Sequence, residues 1–178
     1  MSLETQRLRL RPVVASDVAG LFRIYGDPAT NQFNPAGPFP DTQHAEAVLN
    51  NWVDHWETNG FGNWAISLGD SHDNVIGFGG LSIVSYIDKP FNNLGYRFGT
   101  EVWGKGLATE LAKFTVKYGF EIIRLTEVNA VVRANHFASQ KVLQKAGLSY
   151  LSDIHDVKDA SPSLFYALSF SDWKRTQL

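Results

Sequence analysis

Between residues 7 and 14, Leu8 and Leu10 alternate with Arg7, Arg9 and Arg11, the period-two pattern of a half-buried strand. Val18, Leu21, Phe22 and Tyr25 then recur at helical spacing, with Ser16 placed to cap that helix. From Asn31 to Asp41 the chain carries Pro35, Pro38, Pro40 and Gly37, a density that resists helix and strand interiors and reads as a loop. A second helix is expected from Asp41-Thr42. Ala45, Val48, Leu49, Trp52 and Trp56 keep its spacing and Gly60 stops it. Trp64, Ile66 and Leu68 alternate as a strand. A turn over Asp70 to Asn74 leads into a second strand, Val75 to Val84, and Leu94, Tyr96 and Phe98 mark a third. After Trp103 to Ala108 comes a helix with Leu107, Leu111, Phe114 and Tyr118 as its buried stripe. A strand with Val128, Ala130 and Val132 follows. The next helix is lined by Ala138, Val142 and Ala146 and closed by Gly147. Residues 148 to 170 read as two more strands. The order β-α-α-β-β-β-α-β-α-β-β describes a mixed α/β domain, neither a regular βαβ repeat nor an all-β sandwich.

Composition narrows the chemistry. The 178 residues suit a single domain, 1–178, with a sizeable core. A net charge of −2 and a pI near 6.2 give no reason to expect nucleic acid or an anionic membrane as partner. No apolar run is long enough to span a bilayer, and no secretory signal pattern opens the chain, so a cytoplasmic location is expected. The absence of cysteine excludes disulfides, thiolate metal sites and a cysteine nucleophile. The histidines at 44, 55, 72, 136 and 155 lack metal-ligand spacing, and no metal is expected. Trp52 and Trp56 share a helical face and read as core, whereas Phe33, Phe39 and Phe61, in or beside loops, are available to line an acceptor pocket.

The segment with chemical potential is Trp103-Gly104-Lys105-Gly106-Leu107-Ala108, between a strand and a helix start. Glycine permits positive φ and close approach of a ligand to the backbone. The first N–H groups of a helix have no internal partner and carry partial positive charge. Together these make an anion site suited to a pyrophosphate, with Lys105 and Lys113 available to add charge. Two glycines alone equally suit a plain turn. A Walker loop is excluded, because no Ser or Thr follows Gly104-Lys105-Gly106. The dinucleotide fingerprint is excluded as well, because Thr109 stands where its third glycine belongs.

Several segments in register carry a family resemblance. Leu94-Gly95-Tyr96, then Trp103 to Glu110, then Ala138-Ser139 with Val142 to Leu148, resemble the GNAT acetyltransferases. Thr5-Gln6-Arg7-Leu8-Arg9-Leu10-Arg11-Pro12 and the closing Tyr166-Ala167-Leu168 with Asp172-Trp173 are similar to the RimJ/RimL-like branch, the ribosomal-protein-alanine acetyltransferases. The resemblance implies a central twisted mixed sheet of six to seven strands flanked by about four helices. It also implies an enzyme that passes an acetyl group from acetyl-CoA to a primary amine, either a protein N-terminus or a small molecule, working as a monomer or homodimer.

Site residues follow from the resemblance. Phe98 and Gly99, at an expected bulge, would present backbone to the pantetheine and acetyl groups. Gly104, Lys105, Gly106, Leu107, Ala108 and Thr109 would cradle the pyrophosphate. Trp103 holds a position usually Gln or Arg, so backbone amides carry most of the binding. Three residues rather than two separate Asn135 from Ser139, so either Asn135 or His136 is placed to bond CoA. Ser139 would return a proton to the departing thiolate. Many relatives carry a Glu base where this chain has Asn93. Glu101, Tyr96, Glu110, His155, Asp156, Tyr166 and a water chain remain as alternatives. Asn93 also leaves open a CoA-binding sensor without turnover.

Overall fold

The computed structural model describes residues 2–178. Its elements, in chain order, are β1 (Leu3–Glu4), β2 (Leu8–Pro12), α1 (Val18–Tyr25), α2 (Thr42–Asn59), β3 (Asn63–Leu68), β4 (Val75–Tyr86), β5 (Lys89–Phe98), α3 (Leu107–Tyr118), β6 (Glu127–Arg133), α4 (Phe137–Lys145), β7 (Ser149–Ile154), β8 (Ser163–Ser169) and α5 (Phe170–Thr176). Hydrogen-bonded neighbours run β1-β2-β3-β4-β5-β6-β8-β7 in one mixed sheet. Most printed ladders are antiparallel; β5 and β6 pair parallel, with Asn93 opposite Asn129.

Eight strands and five helices exceed the six to seven and about four expected from sequence. The additions are short. β1 is two residues long, with Leu3 opposite Leu10, too short to show a period. α5 places Phe170 and Trp173 one turn apart and starts where Ser169 Oγ accepts the Asp172 N–H at 3.1 Å. A five-residue π-helical turn, Gly119–Ile123, extends α3 and ends at Arg124, whose φ of +68° breaks the helix. Among the described residues no helix is long and apolar enough to cross a membrane.

The chain forms two compact units. The first comprises the residues up to Gly80 together with Tyr96–Ala108. Its core joins Val13, Leu21, Ile24, Ala45, Leu49, Ala65 and Phe78, with Tyr25, Phe39, Trp52 and Trp56 packed around them. Trp52 and Trp56 are therefore core residues, as their spacing predicts. Phe39 is too: its ring lies 5.3 Å from Tyr25 and 4.5 Å from His44. Phe61 is buried against His55. Neither is free to line an acceptor pocket, because a loop aromatic buries its ring wherever the loop folds back on the core. Ser16 does not cap α1. Residues Ala15–Asp17 form a 3-10 turn, and Asp17 accepts the Val14 N–H at 2.8 Å while Arg11 grips it through two bonds of 2.7 and 2.9 Å. That bidentate bond compensates a buried carboxylate and raises the Arg11 pKa. α2 begins and ends as read, with Asp41 accepting the His44 N–H and Gly60 at φ +75°.

The second unit comprises Leu81–Gly95 and Thr109–Leu178. Ile87 and Asp88 both take positive φ, the backbone of a tight hairpin turn joining β4 to β5. β8 lies between β6 and β7, and Phe120 packs on Trp173 at 5.2 Å. In α4 the buried residues are Leu143 and the adjoining Ala146, with Val142 half-buried. Ala138 is exposed, contrary to its assignment to the lining, because it falls in the first turn. Gly147, at φ +101°, donates to Gln144 O, and Leu148 donates to Leu143 O. This Schellman closure is the end that the glycine predicts.

Candidate active site

The cradle segment is set up by the turn before it. β5 ends at Phe98, Gly99 donates its N–H to Ile76 O at 2.8 Å, and Thr100–Val102 make one 3-10 turn. Trp103 then donates its indole N–H to Phe98 O at 2.9 Å, so the residue that lacks a phosphate-facing charge ties the loop to the strand end. Gly99 is extended, at φ −62° and ψ 150°. Glycine is needed there because the Glu101 carboxylate occupies the space of a Cβ. The expected bulge is thus not what demands this glycine, and the Gly99 N–H is committed within the sheet.

Gly104 and Gly106 both take φ +76°, while Lys105 between them does not have positive φ. Backbone that alternates in this way turns successive N–H groups toward one side and forms an anion-binding nest. A Cβ at Gly104 would meet nothing within 4 Å, and one at Gly106 would meet only the Arg7 Nη2, at 3.7 Å. The glycines therefore serve the backbone turn and the open space before it, not close packing inside the protein. Buried Leu107 anchors the start of α3. Gly106, directly before the helix, has no side chain with which to cap it, so the first N–H groups of α3 are left for an external acceptor. A diphosphate fits this cradle in charge, in donor type and in room.

Around the cradle the first unit places two arginines that the sequence reading did not assign. Arg7 Nη1 donates to Lys105 O at 2.7 Å, and Arg23 Nη1 to Glu101 Oε1 at 3.1 Å. Glu101, an expected base, is therefore a half-exposed carboxylate in an ion pair. Tyr96 is half-buried, with its ring 6.3 Å from that of Phe98. Arg97 stacks over Tyr25 at 4.4 Å and donates to Asn31 Oδ1 at 2.8 Å. Burial pushes the Tyr25 hydroxyl up to about 12 against the opposing charge of Arg97, so this tyrosine stays neutral at working pH.

In the second unit Thr109 continues α3, and Asn135 is exposed in the turn between β6 and α4. His136 precedes α4 without capping it through its side chain. Ser139 is half-buried in the first turn of α4, not in the middle of the helix. Gln140 Nε2 donates to Arg133 O and Ala134 O, at 3.1 and 3.0 Å, fixing that turn to the end of β6. Asn93 faces Asn129 in register, and Asn129 is buried. His155 and Asp156 are exposed, and the His155 N–H donates to the Tyr86 hydroxyl. Tyr166 is buried on β8 against Tyr150.

A glycine nest at the head of a helix, in a mixed sheet with one parallel pair, defines an acyl-CoA-type transferase fold. Residues 7–149 match the family described as acetyltransferase (GNAT) domain, and the chain belongs to that family. An uncharacterized N-acetyltransferase of Bacillus licheniformis, p20, is 26% identical over 98% of this chain and 97% of its own. The ribosomal-protein-S5-alanine acetyltransferase of Vibrio fischeri superposes with a TM-score of 0.76 at 18% identity, covering 96–98% of the two chains: 97% of this one and 98% of that one. The spermidine N-acetyltransferase of Vibrio cholerae, solved with CoA and spermine, superposes with a TM-score of 0.77 at 16% identity, covering 96% of this chain and 99% of that one. The protein is an N-acetyltransferase of the GNAT family.

Proposed function

We propose that this enzyme transfers the acetyl group of acetyl-CoA to a primary amine, with the nest at Gly104-Lys105-Gly106 and the first turn of α3 holding the pyrophosphate. The observation that carries the reading is the uncapped start of α3 behind two glycines at φ +76°. CoA supplies an activated thioester. The chain's residues then have three tasks. Backbone from Phe98 to Ala108, with Thr109 following, binds and orients the donor. The acceptor amine must lose a proton before it attacks, either to a side chain such as Tyr96 or through water. Ser139 donates a hydrogen bond to the leaving sulfur and returns the proton, while Asn135 or His136 bonds the CoA arm. Glu101 acts on this scheme by holding the turn, through Arg23 and its seat over Gly99.

The opening Thr5-Gln6-Arg7-Leu8-Arg9-Leu10-Arg11-Pro12 supports placement in the RimJ/RimL-like branch, with a single functional domain, a cytoplasmic location and a monomer or homodimer. The acceptor is a protein N-terminal amine or a small-molecule amine; neighbours of the same fold are named for a ribosomal protein and for spermidine. Thiol release from acetyl-CoA across peptides with free N-termini, polyamines and aminoglycosides tests the reading and selects the class. Asn93, standing where relatives carry a base, favours a second reading, a CoA-binding sensor. CoA binding with no thiol release on any amine supports that sensor and removes the enzyme reading.

A further inference from the structure

We infer that Arg7 is the phosphate-facing cation of the donor cradle, supplying from the first strand the charge that Trp103 does not. The inference rests on the acetyl-CoA reading of the site. Arg7 lies 98 residues from Lys105 in sequence, yet its Nη1 donates to the Lys105 carbonyl at 2.7 Å. Its Nη2 lies 3.7 Å from where a Cβ on Gly106 would stand, on the side the nest leaves open. One guanidinium nitrogen is thus fixed to the backbone of the nest, and the other is carried to its mouth. The planar fork geometry of arginine makes both possible together: anchoring one nitrogen aims its neighbour, and an anchored fork loses less freedom when an oxyanion arrives.

The charge balance of the loop supports the assignment. A carboxylate near the nest would oppose an anion, but Glu101 is paired with Arg23. Lys105 contributes its carbonyl to Arg7, and its flexible ammonium is exposed. The neighbouring arginines of the same strand are used elsewhere, Arg9 on Glu4 and Arg11 on Asp17. The alternation of the strand sends all three arginines away from Leu8 and Leu10, but only Arg7 reaches the cradle, because it stands at the strand entrance beside Gly69, which donates to Arg7 O at 3.0 Å. Those ties hold its backbone while the side chain crosses to Lys105.

The test measures Kd for CoA and for dephospho-CoA, which keeps the pyrophosphate and lacks the ribose phosphate, in wild type, Arg7→Gln and Arg7→Lys. Glutamine can still donate to Lys105 O but carries no charge. We expect Arg7→Gln to weaken both ligands equally, by about tenfold or more, as for loss of a charge-assisted bond. Arg7→Lys should recover most of that affinity, and Arg7→Gln should show a shallower dependence of Kd on salt. The melting temperature should stay within a few degrees of wild type. Three results overturn the inference: Arg7→Gln binding CoA as wild type does; Gln and Lys equally weak with the wild-type salt dependence, which marks a purely geometric staple; or a loss confined to CoA, which moves Arg7 to the ribose phosphate. Failure of the wild type itself to bind CoA is a different result, and it removes the acetyl-CoA reading beneath the inference.

Discussion

At the start of α2 the Asp41 carboxylate accepts the His44 N–H at 2.8 Å, whereas the matching position before α3 is Gly106, which has no side chain to offer. Both are helix starts with orphan N–H groups and partial positive charge. One is closed by its own sequence, and the other is held open by glycines at φ +76°. α5 resembles α2, closed by Ser169. A helix that caps itself spends its anion-binding capacity on stability; one that does not keeps that capacity for a ligand. The sharpest way to break the contrast is to give α3 what α2 has. In Gly106→Asp the carboxylate enters the nest, and aspartate tolerates the left-handed backbone better than most residues. The expected outcome is a folded protein whose CoA affinity, measured by calorimetry, falls by about a hundredfold or more. Gly106→Asn, neutral and of the same shape, should lose less, about tenfold. Equal losses would show that charge at this position is irrelevant and would remove the anion reading.

The next effect in size concerns the other helix start that lacks a side-chain cap, that of α4 after His136. Ser139→Ala removes a hydroxyl from its first turn. If the serine protonates the leaving thiolate, kcat falls by about tenfold or more while KM for acetyl-CoA changes little. A fall shared equally between binding and turnover would assign the serine to holding CoA instead. At the self-capped end, Asp41→Ala should cost about 1 kcal/mol of stability. That lowers the melting temperature by about 2–4 °C in a chain of this size. KM for acetyl-CoA should be unchanged, and a rise in it would show that α2 and the cradle are coupled.

The contrast also explains what could be read from the sequence. Asp41, Gly60 and Gly147 act on their own helices within four residues, so their effect is written locally, and the structure agrees at all three. The glycines of the cradle are local in the same sense. The pairs Arg7 with Lys105 and Arg23 with Glu101 join residues 98 and 78 positions apart, and no periodicity reports them. The assignment of Ser16 as a cap failed because Asp17, one residue on, also bonds Arg11, and that tertiary partner fixes it as the residue that takes the Val14 N–H. Phe39 and Phe61 were misjudged for a related reason: loop position reveals polarity and turn chemistry but not which way the loop folds. α5 was missed because seven residues with two aromatics one turn apart do not establish a helical period.

The smallest effect isolates backbone conformation from ligand. Gly60 and Gly104 share nearly the same φ, +75° and +76°, and a Cβ at either would meet nothing within 4 Å. Alanine at either position suffers the same left-handed strain, about 1–2 kcal/mol, and no clash in either place offsets or adds to it. Gly60→Ala and Gly104→Ala should therefore lower the melting temperature by similar amounts. They should differ in Kd for CoA: unchanged in the first, where the glycine ends α2, and raised in the second, where the turn aims N–H groups at the phosphates. The protein relieves strain at Gly104 by shifting φ, and the nest opens as it does so. An affinity unchanged in Gly104→Ala, beside a melting temperature lowered as in Gly60→Ala, would mean that the first glycine only turns the chain and that Gly106 and the first turn of α3 bind the anion alone.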